Sequence, residues 1–404
     1  MIQIAVMGYG TVGSGVVEVI RTNQELINKR AGDEVQIKYV LDLRDFPGDP
    51  VESVLTHDFE QIINDPEIKI VVEVMGGLKP AYDFTKRCLE AGKSVCTSNK
   101  ELVARHGAEL IEVAKEHAAN YFFEASVGGG IPIIRPLNTS LTADDITEIT
   151  GILNGTTNYI LSKMTYEGTD FGTALKDAQD NGFAERNPEA DVEGYDACRK
   201  IAILTSLVSG RQVDFEDIYT EGISKITPED IAYAGKMGRA VKLLAMSKKR
   251  DGGYYAMVAP FLLDSKHPLY SVNGVFNAIF VVGNMLGDSM FYGSGAGSLP
   301  TASAVVGDVV DAARNLGRHL EVQWSGEKLE LSDTSGVQKR YFVRVKGAAA
   351  DDAQSMGEIF GEIELVDAGI EGEFGFVTGK MTEARYGELA AKTDRVIHMI
   401  RVEG

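Results

Sequence analysis

The sequence predicts an α/β fold in three parts: a doubly wound parallel sheet over residues 1–134, an α+β domain over 135–320, and a small βαββαβ module over 339–404. Three observations predict it. Short apolar runs alternate with helical periodicity through the first part, which implies parallel strands joined by right-handed crossovers. After Pro136 a series of helices is followed by strand-like runs, the texture of a mainly antiparallel sheet. From about Arg340 six short elements follow in quick succession. At 404 residues the chain is also too long for one hydrophobic core, since domains run to roughly 100–200 residues.

Taken in order, Ile2–Met7 is almost wholly apolar, as a strand covered on both faces must be. It enters Gly8-Tyr9-Gly10-Thr11-Val12-Gly13, after which Val16, Val17, Val19 and Ile20 recur at helical spacing. Further strands are expected over 35–41, 68–74, 94–97 and 121–123, with helices over 81–91 and 102–118. In the second part a strand over 148–153 ends in Asn154-Gly155-Thr156-Thr157. Helices follow over 156–166, 171–181, 193–209 and 228–248, then strands over 254–263 and 276–282. A helix over about 300–318 is expected to pack back on the first domain, and acidic and small residues make 321–338 the expected linker. The module reads as strand 341–345, helix 352–360, strands 363–370 and 374–378, helix 382–391 and strand 396–402.

Composition removes several classes of function. The formal charge of −19, from 40 basic and 59 acidic residues, repels phosphodiesters and anionic lipid heads. Neither nucleic acid nor a membrane surface is the expected partner. No apolar run approaches the ~20 residues of a membrane span. The start, Met1-Ile2-Gln3-Ile4, lacks the basic n-region of a signal peptide. Cys88, Cys96 and Cys198 are odd in number and show no CxxC spacing, so a reducing cytoplasm is the expected home. His57, His106, His117, His267, His319 and His398 form no i,i+4 pair, which weighs against zinc-dependent chemistry.

Glycine is in excess, 44 residues or about 11% against a norm of ~7%. Three glycines make Gly8-x-Gly10-x-x-Gly13, between an apolar strand and an amphipathic helix. The first permits a tight turn, the second lets backbone approach a pyrophosphate, and the third lets helix pack on strand. The helix N-terminus then offers free N–H groups to the anion. A glycine triplet alone would fit a structural turn; in this context it points to a dinucleotide and to a Rossmann-type first domain. Asp42 ends the second strand and is the candidate for the ribose hydroxyls. It lies 29 residues after Gly13 rather than about 20, and a lengthened helix and loop over 22–34 absorbs the difference. Asp42 disfavours the 2′-phosphate of NADP, but Arg44 stands two residues on, so NAD and NADP both remain open. The pair also fits a solvated turn.

A second constellation lies downstream. On the helix over 193–209, Asp196 and Lys200 are i and i+4 and share one face. That spacing is also an ordinary surface ion pair. Ala197, Ile201 and Leu204 make much of the helix apolar, however, and Glu185 and Asp191 add two carboxylates in a short loop just before it. A carboxylate cluster facing a lysine can hold an α-amino group and move a proton to or from an oxygen. Lys100 follows the fourth strand, at the carboxyl edge where open α/β sheets bind ligands. A surface lysine at a helix start has the same pattern.

Beyond these, Ser98-Asn99-Lys100, the run Glu124-Ala125-Ser126-Val127-Gly128-Gly129-Gly130-Ile131-Pro132, Gly151-Ile152-Leu153-Asn154-Gly155-Thr156-Thr157-Asn158-Tyr159, Asp191-x-x-Gly194-x-Asp196-x-x-x-Lys200 and Gly293-x-Gly295-Ala296-Gly297-x-x-Pro300 occur in this order. With the glycine turn, they resemble homoserine dehydrogenase over about residues 1–320. The chain starts at its first strand and so resembles the monofunctional form without an aspartate kinase. The resemblance implies reversible hydride transfer between L-homoserine with NAD(P)⁺ and L-aspartate 4-semialdehyde with NAD(P)H, in threonine, methionine and isoleucine biosynthesis. It implies Lys200 as proton donor, Glu185 and Asp196 as substrate ligands, Asp191 completing the polar site, and Lys100 near the nicotinamide and the reacting carbon. Thr11, Val12, Gly182 and Gly297 would contact cofactor, and the 135–320 domain would be catalytic and dimerising, in a homodimer or higher homo-oligomer. The Glu124 segment resembles the family's monovalent-cation loop, with the Glu124 carboxylate and the carbonyls of Val127, Gly129 and Ile131 as ligands of Na⁺ or K⁺. A plain glycine turn is its other reading.

Two features depart from the family pattern. Many members carry Arg-Asp after the second strand where this chain has Leu41-Asp42, which weakens the case for NADP. The βαββαβ module resembles an amino-acid-binding ACT domain, through which threonine inhibits many relatives, but Asp351-Asp352-Ala353-Gln354 matches its usual Asp-x-x-Gly turn poorly. The same residues also fit another semialdehyde or 2-hydroxy acid dehydrogenase. A non-catalytic NAD(P)- or amino-acid-sensing regulator fits less well, because a sensor needs no proton donor beside the nicotinamide.

Overall fold

The computed structural model describes residues 1–403. Six parallel strands make the first sheet, in the spatial order Leu55–Thr56, Val35–Leu41, Ile2–Met7, Ile68–Glu73, Ser94–Thr97 and Tyr121–Phe122. Chain order reverses between Ile2–Met7 and Ile68–Glu73, which opens a crevice at their carboxyl ends. Alternate residues of these strands feed two separate cores. Ile4, Val6, Ile70 and Val72 pack with Val16, Val17 and Ile20 of the Thr11–Thr22 helix. Ala5, Met7, Val71 and Val95 pack with Leu102 and Leu110 of the Lys100–Glu116 helix. Burial on both faces is why these strands read as continuous apolar runs.

The Ser298–Arg314 helix crosses back to this domain and lies along Thr11–Thr22. Gly15 makes room for it, since a Cβ there would come within 2.6 Å of Ser298 Oγ and 3.1 Å of the Ala302 Cβ.

The second and third parts share one sheet. Along it run Gly287–Ser294, Phe276–Gly283, Ile146–Ile152, Arg239–Arg250, Gly253–Asp264, Val396–Glu403, Gln338–Lys346, Glu373–Thr378 and Ile363–Val366. The last four strands, with helices Ala349–Phe360 and Glu383–Ala390, are the βαββαβ module, its strands in the spatial order 4-1-3-2. The module joins the sheet where Phe261, Leu262 and Leu263 pair with Arg401, Val402 and Glu403. Buried ion pairs close the joint: Arg401 meets Glu221 at 2.6 Å, and Arg344 meets Asp230 at 2.8 Å. The stretch expected to be a linker is docked as well. Trp324 is buried against Gly107 and donates to Gln212 Oε1 at 3.0 Å.

One expected element is wrong. The helix over 228–248 ends at Lys236, and Arg239–Arg250 is a strand paired along its whole length with Gly253–Asp264. Gly238, at φ +64°, breaks the helix. The run Ala240–Ser247 that follows is buried throughout, Lys242 included, because both faces of a central strand are covered, and periodicity cannot separate its mostly apolar pattern from a buried helix. The strand Gly287–Ser294 was not foreseen. It is an edge strand whose alternate residues Asp288, Met290 and Tyr292 are exposed, and it begins on a glycine.

Candidate active site

A cleft of 690 Å³ lies between the carboxyl edge of the first sheet and the second domain, inside the ~300–1,000 Å³ usual for small-molecule sites. The glycine turn forms one end of it. Gly8 has φ +100°, and a Cβ there would sit 2.9 Å from the Val74 carbonyl. At Gly13 a Cβ would lie 1.9 Å from the Gly8 carbonyl, so helix and strand close on each other only through glycine. Gly10 differs, because nothing lies within 4 Å of where its Cβ would be. Gly10 also starts the Thr11–Thr22 helix with no side chain capping it. Open space over uncapped helical N–H groups suits a pyrophosphate. Thr11, Val12, Gly182 and Gly297 line the cleft beyond it. Gly182 and Gly297 adopt φ +75° and +116°, conformations that favour glycine.

Asp42 stands at the end of the second strand, as a ribose ligand would. Its carboxylate accepts the Tyr9 N–H at 2.8 Å and the Arg44 backbone and guanidinium N–H groups at 3.0 Å. Arg44, aided by these backbone N–H groups, holds the Asp42 carboxyl well below the usual carboxylate range. The Arg44 side chain is largely exposed and also donates to the Tyr9 carbonyl at 3.1 Å.

The polar heart of the cleft is one carboxylate between two ammonium groups. Gly194, at φ +84°, starts the Tyr195–Ser209 helix and turns Asp196 and Lys200 inward. Asp196 Oδ2 accepts from Lys200 Nζ at 2.6 Å, and Asp196 Oδ1 faces Lys100 Nζ at 2.6 Å. Lys200 also donates to the Leu153 carbonyl at 2.7 Å. Asp196 and Lys200 are buried, whereas Lys100 is 40% exposed toward the cleft. Burial pushes the Lys200 ammonium down from its ordinary value, with Asp196 opposing. The Asp196 charge pushes Lys100 up. Burial opposes ionisation of Asp196, but the two lysines together hold it well below the carboxylate range. Asp191 moves the other way, raised by burial and by the Asp196 charge. Glu185 lines the same cleft but is exposed. Such a set can deliver a proton from Lys200 to an oxygen and hold an ammonium group on Asp191 and Glu185.

Asn154 has no role in the sequence reading, yet it binds this cluster together. Its Nδ2 donates to Asp191 at 2.7 Å and to Asp196 Oδ2 at 2.9 Å, while its Oδ1 caps the next helix at Thr157 N. The visible signal was the capping pattern Asn154-Gly155-Thr156-Thr157 at a strand end.

The Glu124 loop departs from expectation. The carboxylate, expected as a cation ligand, accepts instead from the backbone N–H groups of Ile133, Ile134 and Arg135 at 2.6, 2.8 and 2.7 Å. These donors belong to the chain just past Pro132, which folds back over the side chain. The carbonyls of Val127, Gly129 and Ile131 accept no hydrogen bond among the described residues, although all three residues are buried.

Comparison with known proteins gives the family. The family model for the homoserine dehydrogenase NAD-binding domain matches residues 8–124, and that for homoserine dehydrogenase matches 132–310. The Bacillus subtilis homoserine dehydrogenase is 44% identical over 319 residues, 78% of this chain and 73% of that protein. The Synechocystis enzyme is 48% identical over 317 residues, 77% and 73% of the two chains. A crystal structure of homoserine dehydrogenase from Thiobacillus denitrificans superposes with TM-score 0.90 at 35% identity, covering 100% of this chain and 98% of that one. A hyperthermophilic archaeal homoserine dehydrogenase mutant in complex with NADPH gives TM-score 0.67 at 30% identity over 79% of this chain and 99% of that one. The chain belongs to the homoserine dehydrogenase family, NAD(P)-dependent oxidoreductases that act on a CH–OH group.

Proposed function

We propose that the protein catalyses the reversible reduction of L-aspartate 4-semialdehyde to L-homoserine, with Lys200 as the proton donor. The observation that carries this reading is the buried Lys200 ammonium, 2.6 Å from Asp196 inside the cleft. When bound, the nicotinamide cofactor supplies the hydride, or accepts it in the reverse direction. The turn of Gly8, Gly10 and Gly13 with Thr11 and Val12 would hold its pyrophosphate, Asp42 its ribose, and Gly182, Gly297 and Lys100 its nicotinamide end. Lys200 gives its proton to the aldehyde oxygen, and Asp196 stays ionised so that the ammonium can re-form. In the oxidative direction neutral Lys200 takes the hydroxyl proton. Asp196, Asp191 and Glu185 bind the substrate's amino group, and Lys100 orients the reacting carbon.

The donor-free carbonyls of the buried residues Val127, Gly129 and Ile131 support a monovalent cation, Na⁺ or K⁺, at this loop. Glu124 would then act by pinning the loop from 133–135 rather than by touching the ion. The 4-1-3-2 order of the C-terminal strands supports reading that module as ACT-like, and the resemblance to relatives makes threonine its candidate effector. The exposed edge strand Gly287–Ser294, with Met290 and Tyr292 outward, supports self-association of the second domain into a homodimer. Sedimentation velocity reads that state directly.

The test of the reaction is absorbance at the nicotinamide band with L-homoserine, run with NAD⁺ and NADP⁺ in parallel. Growth of the reduced band with homoserine, whose hydroxyl is on C4, and not with 2- or 3-hydroxy acids is the expected result. No growth with either cofactor would remove the assignment.

A further inference from the structure

The reaction as proposed makes no use of Glu73, a carboxyl group buried beneath the crevice at the end of a central strand. Glu73 ends the Ile68–Glu73 strand and pairs in register with Met7, at the point where strand order reverses. It has no solvent exposure, and burial pushes its carboxyl up from the ordinary value. No lysine, arginine or histidine pairs with it among the described residues. A buried carboxyl without a cation is costly and contributes little to packing.

Its hydrogen bonds lead outward to the cleft. Oε1 accepts the Met75 N–H at 2.9 Å, and Oε2 accepts the Thr97 hydroxyl at 2.7 Å. Thr97 Oγ1 in turn accepts the Asn99 N–H at 2.9 Å. Asn99 then ties two segments together, donating from Nδ2 to the Gly77 carbonyl at 2.6 Å and capping Leu102 N through Oδ1 at 3.1 Å. The next residue is Lys100, the first of its helix and the partner of Asp196 at 2.6 Å. One carboxyl group therefore anchors both the 75–77 loop, whose Gly76 and Gly77 take φ +78° and +67°, and the segment that launches Lys100.

We propose that Glu73 is a positioning residue for the reaction, fixing through Thr97 and Asn99 the main chain from which Lys100 reaches Asp196. This rests on the reading of the cleft as the site of hydride transfer. A catalytic group displaced by about an ångström loses rate by up to ~10²-fold, so the effect belongs in kcat.

The test is a double-mutant cycle in the full-length enzyme, with Glu73→Ala, Lys100→Met and both together, and Glu73→Gln as the conservative control. Glu73→Ala is expected to lower kcat with homoserine by about tenfold or more. Glu73→Gln keeps one acceptor oxygen, enough for the Met75 N–H, while its amide N–H can donate to the Thr97 oxygen, so the link to Thr97 survives and kcat should fall clearly less than in Glu73→Ala. In the Lys100→Met background, Glu73→Ala should cost less than about twofold, because two residues acting through one contact are not additive. Thr97→Val breaks the same relay further out and should behave as Glu73→Ala does; it carries the test alone if the alanine variant does not fold. Wild-type kcat in Glu73→Ala or Thr97→Val, or a double variant losing the product of the single losses, would overturn the proposal. A wild-type enzyme inactive on homoserine would strike the reaction reading instead, so the two failures are distinct.

Discussion

Lys200 and Lys100 are held on opposite oxygens of the Asp196 carboxylate, each at 2.6 Å. The two ammonium groups would repel each other without it, and the helix that carries Asp196 and Lys200 is sealed on its inner side by Ala197, Ile201 and Leu204. A shared anion in a site of low dielectric fixes both lysines more firmly than two separate surface pairs would. It also divides their roles, because Lys200 is buried and Lys100 faces the cleft.

If Lys200 is the acid, Lys200→Met should bind NAD(P)H as wild type does and lose turnover. General acid catalysis is worth roughly 10²–10⁴ in rate, so kcat should fall by that order while the cofactor Kd from fluorescence titration stays put. Wild-type turnover in the variant would remove Lys200 from the mechanism.

The same pair sets a pH dependence. Burial lowers the Lys200 pKa, so the donor form fades at a lower pH than for a free lysine at about 10.4. Aldehyde reduction, which needs the ammonium, should therefore decline as pH rises through that value, and homoserine oxidation should gain over the same span. Asp196 opposes the shift. Asp196→Asn should move both limbs to lower pH, and profiles of kcat in each direction would show it. Unmoved limbs would mean that another group titrates.

Cofactor choice follows from Asp42 and Arg44. The carboxylate that would take the ribose hydroxyls is already engaged by the Arg44 guanidinium. Asp42→Ala should weaken NAD relative to NADP, and Arg44→Ala should do the reverse by removing the cation nearest a 2′-phosphate. Each charge-assisted contact is worth about 1.5–3 kcal/mol, or roughly ten- to a hundredfold in the ratio of kcat/KM values. An unchanged ratio in both variants would place the ribose elsewhere.

Much of this site was legible because its signals are local. The glycine turn lies between a strand and a helix of different period, and Asp196 with Lys200 keeps helical spacing. What local pattern could not carry is the meeting of Lys100 with Asp196, which depends on how the second domain closes over the first sheet. Asn154 was visible only as a helix cap, although its other end bridges two carboxylates. The contacts of the Glu124 carboxylate are not legible either, because nothing in the sequence marks the backbone N–H groups of 133–135 as turning back onto it. Arg239–Arg250 failed for another reason: a strand covered on both faces has lost its period of two.

The attachment of the C-terminal module yields a stability prediction. Asp230 has no side-chain exposure and sits where three elements meet. It accepts from Arg344 at 2.8 Å and from the Thr227 N–H at 2.9 Å, and it pairs with His398 at 2.8 Å. Arg344 and His398 belong to the module, whereas Thr227 and Asp230 start the Pro228–Lys236 helix of the second domain. Burial works against the Asp230 charge, but His398 and Arg344 prevail and hold its carboxyl below the ordinary value. A carboxyl lowered by folding contributes stability that is present above its unfolded pKa of about 3.9 and is lost as pH falls through the folded value. Asp230→Ala leaves His398 without its carboxylate and Arg344 with Glu373, at 2.7 Å, as its remaining close partner, at a cost of about 1.5–3 kcal/mol. Urea denaturation at neutral pH should show that loss as a lower midpoint, and the gap to wild type should narrow once the pH is taken below about 4. A gap that persists unchanged in acid would mean that the Asp230 charge does not fasten the module.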